Sequence, residues 1–143
     1  MAVKDIASEI KIVPSLLPQT ITTGEPHGAA VDTADYNAVA IELICGAQSG
    51  TTNKFQIQEC ETTTDGSFTA VAEAELDADA YTTLKYNLSI TTANDNLVHR
   101  WRYRGKMRYV RVISVADATG GLIVAANVIL GYPKSGPVAA WDA

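Results

Sequence analysis

The sequence predicts an all-β fold, a single antiparallel β-sandwich of jelly-roll-like topology with extended N- and C-terminal arms. Several segments alternate apolar with other residues, which is the period of a strand that buries one face. Clusters of Gly, Asn and Asp separate these segments at intervals of about 8–12 residues, the spacing typical of a sandwich or jelly roll. No segment sustains the 3.6-residue apolar period of a helix.

Residues 1–30 are predicted to form an extended, irregular arm. Three prolines within it lack a backbone donor, which excludes a central strand. The apolar residues between the prolines need a covering surface, either the parent domain or a neighbouring subunit. The interface residues expected in this arm are Ile12, Leu16 and Leu17.

The sandwich is expected over residues 31–133, followed by a Pro/Gly-rich tail over residues 134–143. Trp141 in the tail is a further expected interface residue. Alternation predicts about seven to nine strands, joined by turns rich in Asp, Asn and Gly and by one polar loop. The predicted strands cover residues 38–45, 55–60, 68–71, 81–90, 100–104, 108–115 and 122–130, with turns at 32–35, 62–67, 94–96 and 117–121 and the polar loop at 46–53.

The segment 100–112 alternates basic with aromatic or aliphatic residues around Gly105. Because successive side chains of a strand point to opposite faces, its first arginines share one face and Trp101 and Tyr103 the other. We predict a β-hairpin with one packed face and one positively charged face. The arginines concerned are Arg100, Arg102, Arg104, Arg108 and Arg111.

Charge is divided unevenly along the chain. The net charge is −5, yet six of the eleven Lys and Arg residues lie between residues 100 and 111. Arginine forms planar contacts with carboxylates, so the five arginines are expected to contact another subunit. Pairing with acidic strands of the same chain is the alternative. Nucleic acid is an unlikely partner because the protein as a whole is acidic.

Four carboxylates alternate with Ala and Leu in an acidic row, and in an extended chain they share one face. The row comprises Glu73, Glu75, Asp77 and Asp79. It can form a solvated face, meet a basic partner or ligate Ca²⁺, which takes six to eight oxygen ligands. The sequence lacks the Asp-x-Asp-x-Asp-Gly loop of a dedicated calcium site.

No recognisable motif indicates catalysis. Cys45 and Cys60 are expected to be buried free thiols, with a cross-strand disulfide as the alternative. His27 and His99 do not have metal-ligand spacing, and no nucleophile elbow, phosphate loop or dinucleotide fingerprint is present. We expect no enzyme activity, cofactor or metal.

The sequence also favours a protein that is made in a cytoplasm and stays soluble. The N-terminus lacks the basic region and apolar run of a signal peptide. The longest apolar stretch, residues 122–130, is too short to span a membrane. No membrane partner is expected.

An ordered set of features spans most of the chain. They are Met1-Ala2-Val3-Lys4-Asp5-Ile6 before the apolar arm, Gly28-Ala29-Ala30-Val31-Asp32, Phe55-Gln56-Ile57-Gln58-Glu59, Thr62-Thr63-Thr64-Asp65-Gly66-Ser67-Phe68-Thr69-Ala70-Val71, Gly105-Lys106-Met107-Arg108-Tyr109-Val110-Arg111, and Val128-Ile129-Leu130-Gly131-Tyr132-Pro133. In this order they resemble the head decoration, or cement, proteins of tailed bacteriophages.

The resemblance implies a role and an architecture, and it transfers no catalytic residue. It implies a jelly-roll or related β-sandwich on the capsid surface of a virion, made in the host bacterial cytoplasm. Its partners would be the major capsid protein and itself, as a dimer or trimer that clamps neighbouring capsid subunits. The alternatives are a carbohydrate- or receptor-binding β-sandwich and a tail or head-completion subunit.

Overall fold

The computed structural model describes residues 6–50, 52–78, 88–115 and 120–134. Ten strands and two single-turn 3-10 helices, Asp65–Ser67 and Glu73–Glu75, are present in these ranges, without an α-helix. The all-β prediction is confirmed. The strands are β1 (Ile10–Ile21), β2 (Val31–Asp32), β3 (Tyr36–Gly50), β4 (Asn53–Cys60), β5 (Thr69–Ala70), β6 (Leu76–Ala78), β7 (Leu88–Ile90), β8 (Val98–Tyr103), β9 (Tyr109–Ser114) and β10 (Gly120–Pro133).

The strands form two antiparallel sheets that pack as a sandwich. Sheet A has the order β1-β10-β3-β8-β6, and sheet B has the order β2-β9-β4-β5, with β7 also paired to β4. Early strands pair with late strands in reverse order: β1 with β10, β2 with β9, β3 with β8 and β4 with β7. This is the pairing of a long hairpin rolled into two sheets, so the topology is a jelly roll.

The core lies between the sheets and follows the predicted alternation. In β8 the exposed and buried positions alternate strictly, and Trp101 and Tyr103 point inward as expected. In β10 the even-numbered side chains from Leu122 to Leu130 are buried. Ile41 and Leu43 of β3, the neighbouring strand of sheet A, are also fully buried. A domain of this size stabilises itself mainly through such apolar burial.

The N-terminal segment differs from the predicted irregular arm, because β1 is an edge strand of sheet A paired along its length with β10. Pro14 and Pro18 are compatible with an edge position, where a missing N–H need not break a ladder. The register shifts around Leu16 on both sides, which accommodates these residues. Leu16 and Ile21 belong to the core, so this domain itself covers part of the apolar segment.

The predicted β8–β9 hairpin is wrong. β8 lies between β3 and β6 in sheet A, whereas β9 lies between β2 and β4 in sheet B. Residues 104–108 therefore cross from one sheet to the other. The Tyr103 hydroxyl accepts the Met107 N–H at 3.2 Å, and a Cβ on Gly105 would overlap the Tyr103 ring. The glycine at position 105 is thus explained by the close approach of the Tyr103 ring to its backbone rather than by a hairpin turn.

Two further predictions are changed in detail. The predicted polar loop at 46–53 is shorter, because β3 continues to Gly50 and β4 begins at Asn53. The turn at 32–35 is present, with Asp32 Oδ1 accepting the Ala34 N–H at 3.0 Å. Residues 81–87 of the predicted strand 81–90 lie outside the described residues, and β7 covers the rest.

Candidate functional site

The outer surface of β8 carries arginines that pair with Asp77 of the neighbouring strand β6. Arg102 donates from Nε to Asp77 Oδ2 at 2.9 Å and contacts the same oxygen through Nη2. Arg104 Nη2 lies 3.2 Å from Asp77 Oδ1. Arg100 lies opposite Glu42 in the register of β8 and β3. More than half of the Arg102 and Arg104 side chains is exposed, so these pairs contribute little to stability.

Arg108, in the crossover between the sheets, binds Asp32 at the end of β2. Its Nε lies 3.1 Å from Oδ1 and its Nη2 lies 2.7 Å from Oδ2, so the contact is bidentate. The guanidinium also lies 5.1 Å from the centre of the Tyr109 ring. The hydrogen bond from Arg108 lowers the pKa of Asp32. The Arg108–Asp32 ion pair therefore holds the crossover against sheet B.

Arg111 is buried on the outer side of sheet B and has several partners. It donates to Gln58 Oε1 from Nε and Nη2 at 3.0 and 2.8 Å, and Nη1 contacts the Asp65 carboxylate. Its guanidinium stacks 4.1 Å from the centre of the Phe68 ring. His27 Nδ1 lies 3.1 Å from the same Asp65 oxygen. The hydrogen bonds of Arg111 and then His27 lower the pKa of Asp65.

The arginine contacts therefore match the intramolecular alternative. Four arginines pair with aspartates of their own chain, as described above. The interface prediction is corrected at Arg111, because only 7% of its side chain is exposed. Arg100, Arg102, Arg104 and Arg108 are more exposed, and a contact with another subunit stays a prediction for them.

The apolar residues predicted as an interface divide into two groups. Leu16 is 2% exposed and packs in the domain's own core, so its assignment to an interface is corrected. Ile12 and Leu17 are 54% and 65% exposed, and their roles stay predictions. Trp141 lies outside the described residues.

The acidic row does not form one extended face. Glu73 and Glu75 belong to a 3-10 turn, and Asp77 follows in β6. Asp79 lies outside the described residues. Asp77 is engaged by two arginines, and no group of three or more His, Cys, Asp or Glu side chains able to hold a metal occurs in the described part of the chain.

The outer surface of sheet A carries two apolar rows on β1, β10, β3 and β8, separated by the polar row Asn127, Glu42 and Arg100. Ile12, Ile129 and Ala40 lie side by side across β1, β10 and β3. A second row crosses β10, β3 and β8 through Ala125, Ile44 and Val98. With Ile123, these residues are called the apolar face: Ile12, Ala40, Ile44, Val98, Ile123, Ala125 and Ile129.

The apolar face remains substantially open to solvent. The exposed fractions are 40% for Ile44, 46% for Val98 and 57% for Ile123. Between its two rows, Asn127 donates to Glu42 Oε1 at 2.8 Å, so this polar pair is satisfied within the sheet. Antiparallel sheets with one solvated face normally place polar residues there. An apolar outer surface of this kind indicates an interaction site.

Sheet B has a different outer surface. Its central strand β4 presents Lys54, Gln56 and Gln58, and the Arg111–Asp65 cluster lies beside them. The two surfaces of the sandwich thus differ in polarity. The sequence contained a signal of this difference, because residues 38–45 and 122–130 are apolar at both alternating sets of positions except at Glu42 and Asn127. Such runs are typical of strands covered on both faces.

A groove of about 1330 Å³ opens at one end of the apolar face, beside the crossover residues 104–108. It is called the basic groove, because the described residues that line it include five cations and one carboxylate, Glu9. Its cations are Arg102, Arg104, Lys106, Arg108 and Lys134. Its apolar lining includes Ile10, Tyr36, Ala38, Met107, Ile129 and Tyr132. Such a lining suits a peptide with both apolar and acidic side chains.

Both cysteines are free and buried, as expected from the sequence. Burial raises the pKa of the Cys45 thiol to about 12. Since the thiolate is the reactive form, Cys45 is unreactive at neutral pH. It contributes to the apolar core.

Comparisons with known proteins add little to this description. No family model matches the chain, and no curated protein matches it. The chain is similar to the crystal structure of the SPBc2 prophage-derived protein YomS, with a TM-score of 0.48 and 12% identity over 85% of this chain and 93% of that chain. Similarity of this degree identifies no family. In the described residues, no helix is long and apolar enough to cross a membrane.

Proposed function

We propose that the protein is a structural protein of a tailed-phage virion that binds the outside of the capsid and clamps neighbouring major capsid subunits. The apolar face carries this proposal, because a surface of this polarity needs a protein partner. The sequence resemblance to head decoration proteins supplies the identity of that partner. The proposal assigns no catalytic role to any residue.

The size of the apolar face favours attachment to a repeating lattice. Four of its side chains, Ile12, Ile44, Val98 and Ile123, are about half exposed, so covering each one contributes on the order of 1 kcal/mol. The summed contribution of the four side chains is comparable only with the lower end of the free-energy cost of association, which is about 4–15 kcal/mol. One such contact is therefore weak. Simultaneous contact with two capsid subunits, or with other copies in a dimer or trimer, raises the avidity.

Binding of this kind stabilises a shell by mass action. A ligand that binds the assembled lattice but not free subunits shifts the equilibrium toward assembly. This effect requires a rigid binding surface, and the jelly roll presents the apolar face on the continuous strands β3 and β10. A groove or pocket for a substrate is not required.

The carbohydrate-binding alternative lacks support from the aromatic cluster Trp101, Tyr103 and Tyr109, of which Tyr109 is half-buried. Sugar recognition would need exposed rings that form a stacking platform. Trp101 and Tyr103 are 2% and 7% exposed and face the core. The tail or head-completion alternative makes a different prediction, since such a subunit would bind at the portal or tail rather than across the shell.

Addition of the purified protein to phage particles that lack it tests the proposal. We expect saturable binding to assembled capsids, detected by co-sedimentation, with a copy number that follows the lattice. Free capsid subunits should not bind the protein under the same conditions. Binding confined to tails, or the absence of any binding to particles, would contradict the proposal.

A further inference from the structure

A bulge in β1 turns one serine away from its own sheet. Pro14 pairs with Asn127 and Leu16 pairs with Ala126, so the pairing of β1 with β10 skips Ser15. Ser15 and Leu16 are consecutive and both buried, which breaks the alternation of the strand. A bulge of this kind re-aims a side chain. Here it directs the Ser15 hydroxyl from the edge of sheet A toward sheet B.

A second irregularity faces this bulge, in the segment that leads into β2. His27 lies opposite Ile113 of β9, whereas Val31 lies opposite Val110. Four steps along the segment therefore match three steps along β9, so the segment contains one extra residue between positions 27 and 31. The ladder along the edge of β9 is interrupted at this point.

Ser15 provides the contact that the interrupted ladder lacks. The Gly28 N–H donates to the Val112 carbonyl at 2.8 Å, but the Val112 N–H donates to Ser15 Oγ at 3.0 Å. In a regular hydrogen-bonded antiparallel pair, Gly28 would make both bonds. The Ser15 hydroxyl donates in turn to the Ala29 carbonyl at 3.0 Å, and the Ser15 carbonyl accepts the Ala29 N–H at 2.7 Å. Hydrogen bonds thus join the two sheets at this side of the sandwich.

The two irregularities fit together closely, and the residues that connect them are called the clasp: Ser15, Gly28, Ala29 and Val112. Ser15 is 4% exposed, and its hydroxyl is used both as a donor and as an acceptor. A Cβ on Gly28 would overlap Ser15 Oγ and the Val112 carbonyl oxygen. The clasp therefore requires a glycine at position 28.

The N-terminal half of β1 depends on the clasp, because its pairing with β10 is interrupted beside it. Between Pro14 and Gln19 only Leu16 pairs with β10, and Pro14 and Pro18 have no N–H to donate. The residues before the bulge include Ile12 of the apolar face. They are held by a short stretch of ladder and by the clasp at its end. Short, peripheral stretches of this kind are the first to open locally.

We propose that Ser15 is a positioning residue, which clasps β1 to sheet B and thereby holds Ile12 in the apolar face. Ile12 is 54% exposed and lies beside Ile129 of β10, so its place in the face depends on where β1 lies. The use of Ile12 in a capsid contact rests on the proposed function, whereas the clasp itself does not.

Amide hydrogen exchange of the full chain tests the clasp. Ser15→Ala should accelerate exchange of the β1 amides bonded to β10 about tenfold or more relative to the amides of β3, because β1 then opens without global unfolding. Ser114→Ala is the matched control, since it removes another buried serine hydroxyl, one without a hydrogen-bond partner, and it should leave this ratio unchanged. Ser15→Cys, with a weaker donor and acceptor, should give a smaller change in the same direction and replaces Ser15→Ala if that variant does not fold. An unchanged ratio would overturn the proposal.

Attachment to phage particles that lack the protein tests the link to Ile12. Ser15→Ala and Ile12→Ala should each weaken attachment about fivefold, the factor that corresponds to covering one half-exposed isoleucine. The double variant should lose no more than the larger single loss, since both residues act through one contact. Additive losses would overturn the role of Ser15.

The variant Ile44→Glu separates this inference from the proposed function. If Ile44→Glu loses attachment while Ser15→Ala keeps it, the proposed function stands and the positioning role of Ser15 is overturned. If both variants attach like wild type, binding through the apolar face is itself contradicted, and the positioning role of Ser15 is overturned with it.

Discussion

Tyr103 and Glu59 join the two sheets at one end of the core. The Tyr103 hydroxyl of β8 donates to Glu59 Oε2 of β4 at 2.5 Å, and both side chains are less than a tenth exposed. Burial raises the pKa of Glu59, and burial together with the bond to Glu59 raises the pKa of Tyr103. The same hydroxyl accepts the Met107 N–H, so it also positions the crossover that forms a wall of the basic groove.

Tyr103→Phe should lower the free energy of unfolding at pH 7 by about 1–3 kcal/mol, because it leaves the Glu59 carboxylate buried without its donor. Urea unfolding monitored by circular dichroism measures this change. Tyr109→Phe is the matched control, since the Tyr109 hydroxyl makes no hydrogen bond with a described residue. Equal stability of Tyr103→Phe and wild type would show that the bond is replaced by solvent.

Glu59 should also impose a pH dependence on stability. Because its folded pKa lies above the unfolded value of 4.5, the folded protein binds the proton more tightly. The free energy of unfolding should therefore fall as pH rises from about 4.5 through the raised folded pKa. Glu59→Gln keeps an acceptor for Tyr103 and should remove this slope while matching or exceeding wild-type stability at pH 7. If Glu59→Gln left the slope of the free energy of unfolding against pH unchanged, the slope would belong to another titratable group.

Asp65 should impose a pH dependence of the opposite sign on the free energy of unfolding. Its pKa is lowered below 3.8, so the ionised form stabilises the fold at neutral pH, and this contribution is lost as pH falls below 3.8 through the folded value. Asp65→Asn should be less stable at neutral pH and less sensitive to acid than wild type in thermal unfolding series. Glu73→Gln is the control, because Glu73 makes no ion pair with a described residue. An acid transition identical to wild type would contradict the assignment.

The neighbours Leu16 and Leu17 test whether β1 belongs to the domain. Leu16→Ala should lower the free energy of unfolding by about 2–5 kcal/mol because it opens a cavity in the core. Leu17→Ala removes a side chain that is 65% exposed and should change stability by less than about 0.5 kcal/mol. If the two substitutions changed the free energy of unfolding in urea equally, β1 would be an arm that can detach from the domain.

The alternation of side chains predicted the faces of strands but not their partners. Trp101 and Tyr103 point inward as expected, since period-2 alternation is a local property. The β8–β9 hairpin was not realised, because consecutive jelly-roll strands can belong to different sheets and Gly105 lies in a crossover. Prolines indicated an arm where an edge strand occurs, since a strand at the edge tolerates a missing donor.

The candidate site depended even more on long-range pairing. The aspartates that bind Arg102, Arg111 and Arg108 lie 25, 46 and 76 positions away along the chain. No local pattern identifies such partners, which is why an interface was expected and an intramolecular pairing was left as the alternative. From the sequence, the apolar face was recognisable only as runs in which inward and outward strand positions are both mainly apolar. That no described strand covers this face follows only from the order of the strands in the two sheets.

Attachment of Ile44→Glu to particles that lack the protein tests the capsid-binding role most directly. Ile44 lies between Ala125 and Val98 in the second row of the apolar face, and a carboxylate there should reduce attachment at least about tenfold, equal to about 1.4 kcal/mol. Gln56→Glu adds the same charge to the outer surface of sheet B and should bind like wild type, and thermal unfolding confirms that both variants are folded. Undiminished attachment of Ile44→Glu, or equal loss in the two variants, would contradict binding through the apolar face.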